Sequence, residues 1–317
     1  MIRKVLAISA ATVLVAGCTS AEDNSTPTGP IAVTATTNVW GSIAEFIGGD
    51  MVEVTSIVDQ PTIDPHSYEP SARDLLAVQD AEMVLVNGGG YDAFMESLIE
   101  QAEGTRVVLR AVAGENSHDH SDEDHEDEEE HSHAEGNEHV WYDFHVVEEV
   151  ADQVLASLTQ LRPDSAGDFQ ANHQTFVDEL EVLEVRLEAL REKALGYGVF
   201  SITPLASIML EDAGFDEMAP EDLLEAVEEE RDISPASIAE AEAIFEDPDL
   251  LMVITNDQVT DTQMQSIADM AASKGLPVIG LAELIPNEDW DYLDWMANNL
   301  DVLMATVDQQ LPEQIEN

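Results

Sequence analysis

Phe169, Phe176, Leu180, Leu183, Leu187 and Leu190 recur at steps of 7, 4, 3, 4 and 3 residues. A single apolar stripe at that spacing marks one helix with one buried face. Pro163-Asp164 suits its start and Gly196 its stop. At about 1.5 Å per residue, such a helix of roughly 30 residues is roughly 45 Å long. That is longer than one domain is wide. It predicts a rigid spine between two domains, with a coiled-coil dimer as the competing arrangement.

The chain on either side of the spine supports two domains. Apolar runs at 31–37, 51–57, 83–87 and 106–109 read as strands, with helical stretches at 40–47, 72–79 and 91–102 between them. After the spine, strands are expected at 198–202, 250–255 and 277–281. Helices are expected there at 205–213, 234–245, 262–273 and 291–309. Strands alternating with helices indicate parallel βα units. The expected fold is therefore α/β: two Rossmann-like βα domains with parallel sheets, at 31–162 and 197–317, joined by one long rigid helix at 163–196.

The first residues have a different logic. Met1-Ile2-Arg3-Lys4 is basic, and residues 5–16 are apolar but too few to span a bilayer. Val15-Ala16-Gly17-Cys18 follows, then a polar stretch to residue 30. This is a secretory signal, and the tetrapeptide resembles the bacterial lipoprotein box. It implies a signal peptide over 1–17, lipidation of Cys18, and a flexible tether over 18–30. The chain would then sit on the extracytoplasmic face of the cell membrane through its lipid anchor. An ordinary signal with an incidental Cys is the competing reading. Because Cys18 is the only cysteine, an intrachain disulfide and a thiolate-cluster zinc site are both excluded.

Charge removes further classes. Asp and Glu number 67 against 11 Lys and Arg, a formal net charge of −56. A nucleic-acid binder needs a basic face, and so does docking on anionic lipid. The segment 115–138 holds 12 acidic residues and no basic one, yet −44 remains when it is set aside. Acidity is thus spread over the whole surface, which predicts an exported protein adapted to high salt, with a merely acidic lipoprotein as the competing reading.

Two histidines are candidate ligands, although each taken alone reads more often as an ordinary histidine. His66 lies in Asp64-Pro65-His66-Ser67-Tyr68-Glu69-Pro70-Ser71, where two prolines stiffen the loop. A neutral imidazole on such a loop binds divalent metal while its other nitrogen is oriented by a second group. His139 lies in Asn137-Glu138-His139-Val140-Trp141-Tyr142-Asp143, just before an amphipathic helix. Both are expected on loops outside the core. The segment 115–138 also carries His118, His120, His125, His131 and His133. It has no apolar periodicity, so it reads as a mobile loop that binds zinc weakly at several places. His145 and His173 are assigned no role.

The lipoprotein box, the DPHSYEPS loop, the His-rich acidic insert, the NEHVWYD segment, the long helix and a second βα domain occur in that order. Together they resemble the metal-binding lipoproteins of zinc and manganese ABC importers, the solute-binding family with a rigid linking helix. The resemblance spans essentially residues 31–311. It implies a metal at the interface of two βα domains, handed to a membrane permease and its ATPase without chemical turnover, by a protein expected to be a monomer. His66 and His139 match the first two ligands. The third ligand position, usually His or Glu, falls on Thr203, a departure that leaves water or a neighbour to fill it. Glu283, in Leu281-Ala282-Glu283-Leu284-Ile285-Pro286, takes the place of the fourth.

Two imidazoles and a carboxylate with one further donor make a tetrahedral zinc site. Manganese accepts the same ligands with more oxygen, and the His-rich insert tips the expectation to zinc. The chain contains neither an H-E-x-x-H helix nor a nucleophile elbow, so a zinc-dependent hydrolase is the weakest alternative. A surface metal buffer or adhesin is a third.

Overall fold

The computed structural model describes residues 29–112, 137–229, 231–259 and 261–311. Cys18, the signal and most of the tether lie outside them, as do His118, His120, His125, His131 and His133.

The first lobe is built from β1 (Ile31–Thr37), α1 (Asn38–Gly48), β2 (Val52–Val58), α2 (Ala72–Asp80), β3 (Met83–Gly88), α3 (Ala93–Gln101), β4 (Val107–Val112) and α4 (Phe144–Leu161). Its four strands are parallel, in the order β2-β1-β3-β4. A 3₁₀ turn at Pro163–Ser165 leads into α5 (Ala166–Ala194), 29 residues long. The second lobe follows with β5 (Gly198–Ser201), α6 (Ser207–Asp212), β6 (Asp216–Glu217), α7 (Glu221–Glu228), α8 (Pro235–Ile244), β7 (Leu250–Asn256), α9 (Thr262–Ser273), β8 (Val278–Leu281) and α10 (Tyr292–Gln310). Its sheet repeats the pattern, β6-β5-β7-β8, again all parallel. The fold is thus two parallel α/β sheets joined by one long helix, as the sequence predicts.

The spine uses its apolar stripe as expected. Phe169, Phe176, Leu180, Leu183 and Leu190 are buried, and Leu187 packs on the same core. The helix lies against α1 and α4 of the first lobe and α10 of the second. One apolar core therefore runs through both lobes, from Ile31 and Trp40 through Phe176 to Met252 and Leu303. Polar contacts fasten the lobes beside it. The Asn38 side chain donates to the Ile285 carbonyl at 3.0 Å and accepts from its amide at 3.2 Å. Tyr142 donates its hydroxyl to the Ala282 carbonyl at 2.6 Å, and Tyr292 donates to that of Trp141 at 2.7 Å. Leu284 crosses over to pack with Ile57, Val58 and Val78 of the first lobe.

Two elements depart from the sequence reading. The strand β6 and helix α7 carry no apolar run that would announce them. Asp216 and Glu217 are a two-residue edge strand, and α7 buries only Leu223 and Ala226 of its eight residues.

Candidate metal centre

In open parallel α/β sheets, ligand crevices form outside the carboxyl ends of the strands. Here the carboxyl ends of both sheets face one cleft, and the chain reaches it repeatedly. His66 follows β2, Tyr91 follows β3, Thr203 follows β5, and Glu283 follows β8. About 480 Å³ of space lies in the cleft when the open solvent at its mouth is included. Asp64, His66 and His139 line it from the first lobe, and Thr203, Glu228, Asn256 and Glu283 from the second.

His66 is held by its loop. The Asp64 carboxylate accepts from the His66 amide and the Ser67 hydroxyl, both at 2.9 Å. Further along, Tyr68 donates to Asp74 at 2.9 Å, and Ser71 and Asp74 form the capping box that starts α2. The His66 side chain remains 30% exposed. Its Nδ1 lies 3.0 Å from Glu138 Oε1, and its Nε2 lies 3.0 Å from Glu283 Oε1. Both are charge contacts at hydrogen-bond distance.

His139 departs from the expectation of a loop outside the core. It is 5% exposed and caps the 3₁₀ turn Val140–Tyr142. Tyr91 and Trp141 stand edge-on to it, with ring centroids 6.1 and 5.3 Å away. Three consecutive glycines turn the chain into Tyr91, with φ of 81°, 67° and 112° at Gly88, Gly89 and Gly90. A side chain at Gly88 would also strike the Val112 carbonyl. The Asn137 carboxamide oxygen lies 2.8 Å from His139 Nδ1 and 2.9 Å from its amide nitrogen. With Asn137 as acceptor, Nδ1 carries the proton and Nε2 turns to the cleft as a free donor atom. That Nε2 lies 4.0 Å from Glu283 Oε1. The Asn137 amide in turn donates to the Pro204 carbonyl across the cleft at 2.8 Å.

Glu283 comes from the second lobe and is 2% exposed. Asn256 donates to its Oε2 at 3.1 Å, and Gln258 accepts from the Glu283 and Leu284 amides at 2.9 and 2.8 Å. Its Oε1 faces the two imidazoles with no hydrogen-bond partner. Thr203 Oγ1, in the same wall, is likewise buried and unpartnered. A buried carboxylate oxygen is costly unless a cation meets it, and in the metal-free protein the His66 ring at 3.0 Å is that cation.

The electrostatics separate the two histidines. Burial opposes a charge on His66, but Glu138 and Glu283 outweigh it and push its pKa up to about 10. Burial dominates at His139, with the neighbouring His66 adding to it against the pull of Glu283, and lowers its pKa to about 4. Glu283 is raised by burial and lowered more by His66 and His139, so it stays below the ordinary carboxylate range. Burial and the Glu283 carboxylate hold the Tyr91 phenol far above its usual range.

The fold thus brings His66, His139 and Glu283 together, with Thr203 beside them. Sequence reasoning did not single out Glu138, Asn137, Asn256 or Gln258. Glu138 was read as the last acid of the 115–138 insert, yet it shares a metal-sized cluster with His66 and His139. The one available signal was its place between Asn137 and His139. Among the described residues, no helix is long and apolar enough to cross a membrane.

Residues 33–306 match the family described as ZnuA, zinc-uptake complex component A, periplasmic. The manganese-binding lipoprotein MntA of Halalkalibacterium halodurans is 26% identical over 173 residues, covering 54% of this chain and 53% of that protein. The zinc-binding lipoprotein AdcA of Streptococcus pneumoniae serotype 4 is 22% identical over 286 residues, 84% of this chain and 54% of that protein. The chain spans about half the length of the curated relatives it matches. Among solved structures, the periplasmic zinc binding protein TroA of Treponema pallidum has the same fold, with a TM-score of 0.68 at 18% identity over 88% of this chain and 99% of that one. A crystal structure of ZnuA gives a TM-score of 0.68 at 21% identity, covering 88% and 98%.

Proposed function

The chain belongs to the ZnuA family of zinc-uptake components, and we propose that it captures a divalent transition metal, zinc first, at His66, His139 and Glu283 and delivers it to an ABC importer. One observation carries this reading. Two imidazole Nε2 atoms stand 3.0 and 4.0 Å from Glu283 Oε1, on a carboxylate that is 2% exposed. Bound there, zinc would take two nitrogens and one oxygen. Thr203 leaves the next position to water or to another side chain.

The ligands come from both lobes, so capture closes the cleft that the permease would reopen. On this reading residues 31–162 and 197–317 act as two lobes on the 163–196 linker. The lipid on Cys18 and the 18–30 tether keep the monomer at the extracytoplasmic face, within reach of the permease and its ATPase. The family is a solute-binding one, and no catalytic step is assigned. His118, His120, His125, His131 and His133 act as weak auxiliary zinc ligands. Zinc is favoured over manganese by the two imidazoles and the His-rich insert.

The test is metal analysis of chain purified without chelator, followed by calorimetric competition between zinc and manganese. One tight zinc per chain, surviving deletion of residues 115–136, is the expected result. Absence of any stoichiometric metal, or loss of the tight site with that deletion, would overturn the assignment.

A further inference from the structure

Glu283 belongs to the second lobe by sequence, yet its neighbours on the chain are gripped by the first. The strand β8 ends at Leu281. At the very next residue Tyr142 donates its hydroxyl to the Ala282 carbonyl, at 2.6 Å. Two residues beyond Glu283, the Asn38 carboxamide holds both backbone groups of Ile285, donating to the carbonyl at 3.0 Å and accepting from the amide at 3.2 Å. Leu284, between them, is fully buried. Among the described residues, every other buried member of its apolar cluster comes from the first lobe. The second lobe holds the middle of the segment. Gln258 accepts from the Glu283 and Leu284 amides at 2.9 and 2.8 Å and donates to the Leu284 carbonyl at 3.0 Å.

The first-lobe anchors are tied to the elements that carry the histidines. Tyr142 closes the 3₁₀ turn that His139 caps, and its amide donates to the His139 carbonyl at 3.2 Å. Leu284 packs with Ile57 and Val58, the last two residues of β2, from which the His66 loop departs. The separation of Glu283 from both imidazoles is therefore set through the first lobe on either side of the carboxylate. Tyr142 and Ala282 are both buried, so losing the hydroxyl would leave a buried carbonyl without its donor.

We propose that Tyr142 and Asn38 are positioning residues for metal binding: they hold the 282–285 segment by its backbone so that Glu283 meets His66 and His139 at a fixed separation. The proposal rests on the metal-binding reading above and deepens it. A ligand whose supporting contacts are lost binds metal more weakly even when it is still present. The competing account is that these bonds only fasten the lobes. Tyr292 supplies the comparison, because it also crosses between the lobes through a buried hydroxyl, but donates to the Trp141 carbonyl and not to the 282–285 segment.

The test uses the full chain carrying Tyr142→Phe, Asn38→Ala or Tyr292→Phe, each with Glu283 intact and with Glu283→Ala. Zinc affinity is measured by competition with a chelating dye, cobalt(II) absorption reports the ligand geometry, and melts without metal report folding. With Glu283 intact, Tyr142→Phe and Asn38→Ala should each weaken zinc by about tenfold and alter the cobalt spectrum. With Glu283→Ala, the same changes should cost less than about twofold, because the group they position is gone. Tyr292→Phe should lower the melting temperature without any loss of affinity that depends on Glu283. Losses that persist undiminished with Glu283→Ala, or a Tyr292→Phe protein that shows the same dependence, would overturn the proposal in favour of simple fastening. So would a Tyr142→Phe protein that binds zinc like the parent, and in each of these cases the metal site itself would stand. Glu283→Ala binding zinc with undiminished affinity would instead remove Glu283 from the site, and the proposal with it. Should Asn38→Ala fold poorly, the near-isosteric Tyr142→Phe decides alone.

Discussion

His66 and His139 are the same side chain in opposite surroundings. His66 sits on a Pro-bracketed loop, 30% exposed, pinched between two carboxylates, and is held as an imidazolium with a pKa of about 10. His139 is walled in by Tyr91 and Trp141, its Nδ1 engaged by Asn137, and is held neutral with a pKa of about 4. Burial alone cannot explain the contrast, because it pushes both values down. The difference lies in where the carboxylates stand. His139 is therefore ready to bind metal at neutral pH, whereas His66 must first give up a proton. One imidazole is part of the framework, and the other exchanges a proton for the metal.

The largest effect should come from removing either one. His139→Ala and His66→Ala should each weaken zinc by well over about 100-fold, the upper range for losing a mere supporting partner of a ligand. They should differ in metal-free stability. His139→Ala empties a site packed by two aromatic rings and should lower the melting temperature at every pH. His66→Ala removes the cation between Glu138 and Glu283, so its cost should be large at pH 7 and vanish by about pH 11. The His66 pairing is fully present below the unfolded pKa of about 6.5 and is lost as pH rises through about 10. Thermal melts of both variants across that window check the division. Equal pH dependence in the two would erase the contrast.

The same contrast fixes how affinity follows pH. Between about pH 5 and 9, His66 holds one displaceable proton and His139 holds none. Each zinc should then release one proton, and apparent affinity should rise about tenfold per pH unit. Two ordinary histidines would give no slope above about pH 7.5 and a slope of two well below pH 6. Calorimetry in buffers of differing ionisation enthalpy counts the protons directly. A count of zero at pH 8 would mean that His66 is not held between the carboxylates in solution.

The parts of this site that could be seen in sequence were those with a local signature. The strands β3 and β7 open on unbroken apolar runs, MVLV and LLMVI, because both faces of a parallel sheet are covered, and the spine declares itself by its stripe. His66 and His139 stand out through the DPHSYEPS and NEHVWYD segments that carry the family resemblance, because either histidine alone reads as an ordinary one. Glu138 did not, since it is one carboxylate among 12 in a single run. Its significance arises only when Asn87, at the end of β3, holds its backbone and the fold sets its carboxylate beside His66. Asn256 and Gln258 were hidden for the same reason: they act on Glu283 from 27 and 25 residues away. The edge strand β6 was missed because two acidic residues have no periodicity to read.

The smallest expected effect separates the local charge pattern from the global one. His139 is shielded by burial, but His66 shares its solvent with an acidic surface. Among the described residues, Arg110, Arg162, Arg186, Arg231, Lys193 and Lys274 are already paired with carboxylates. With −44 outside the 115–138 segment, acids far outnumber the basic residues that could pair with them, and folding draws them closer than they are in the unfolded chain. Raising salt from about 0.1 to 1 M shortens the screening length from roughly 10 to 3 Å. The metal-free chain should melt a few degrees higher in molar KCl, and zinc should add to that because it binds only the folded site. Zinc affinity should fall several-fold over the same range, since screening weakens the pull of the acidic surface on the cation. The His139→Ala variant should gain the same thermal stabilisation from salt, because surface repulsion does not involve the buried ring. Melting curves at several KCl concentrations, with and without zinc, test each part. A melting temperature that is flat or falls with salt would refute the surface-repulsion account and leave the contrast between the two histidines intact.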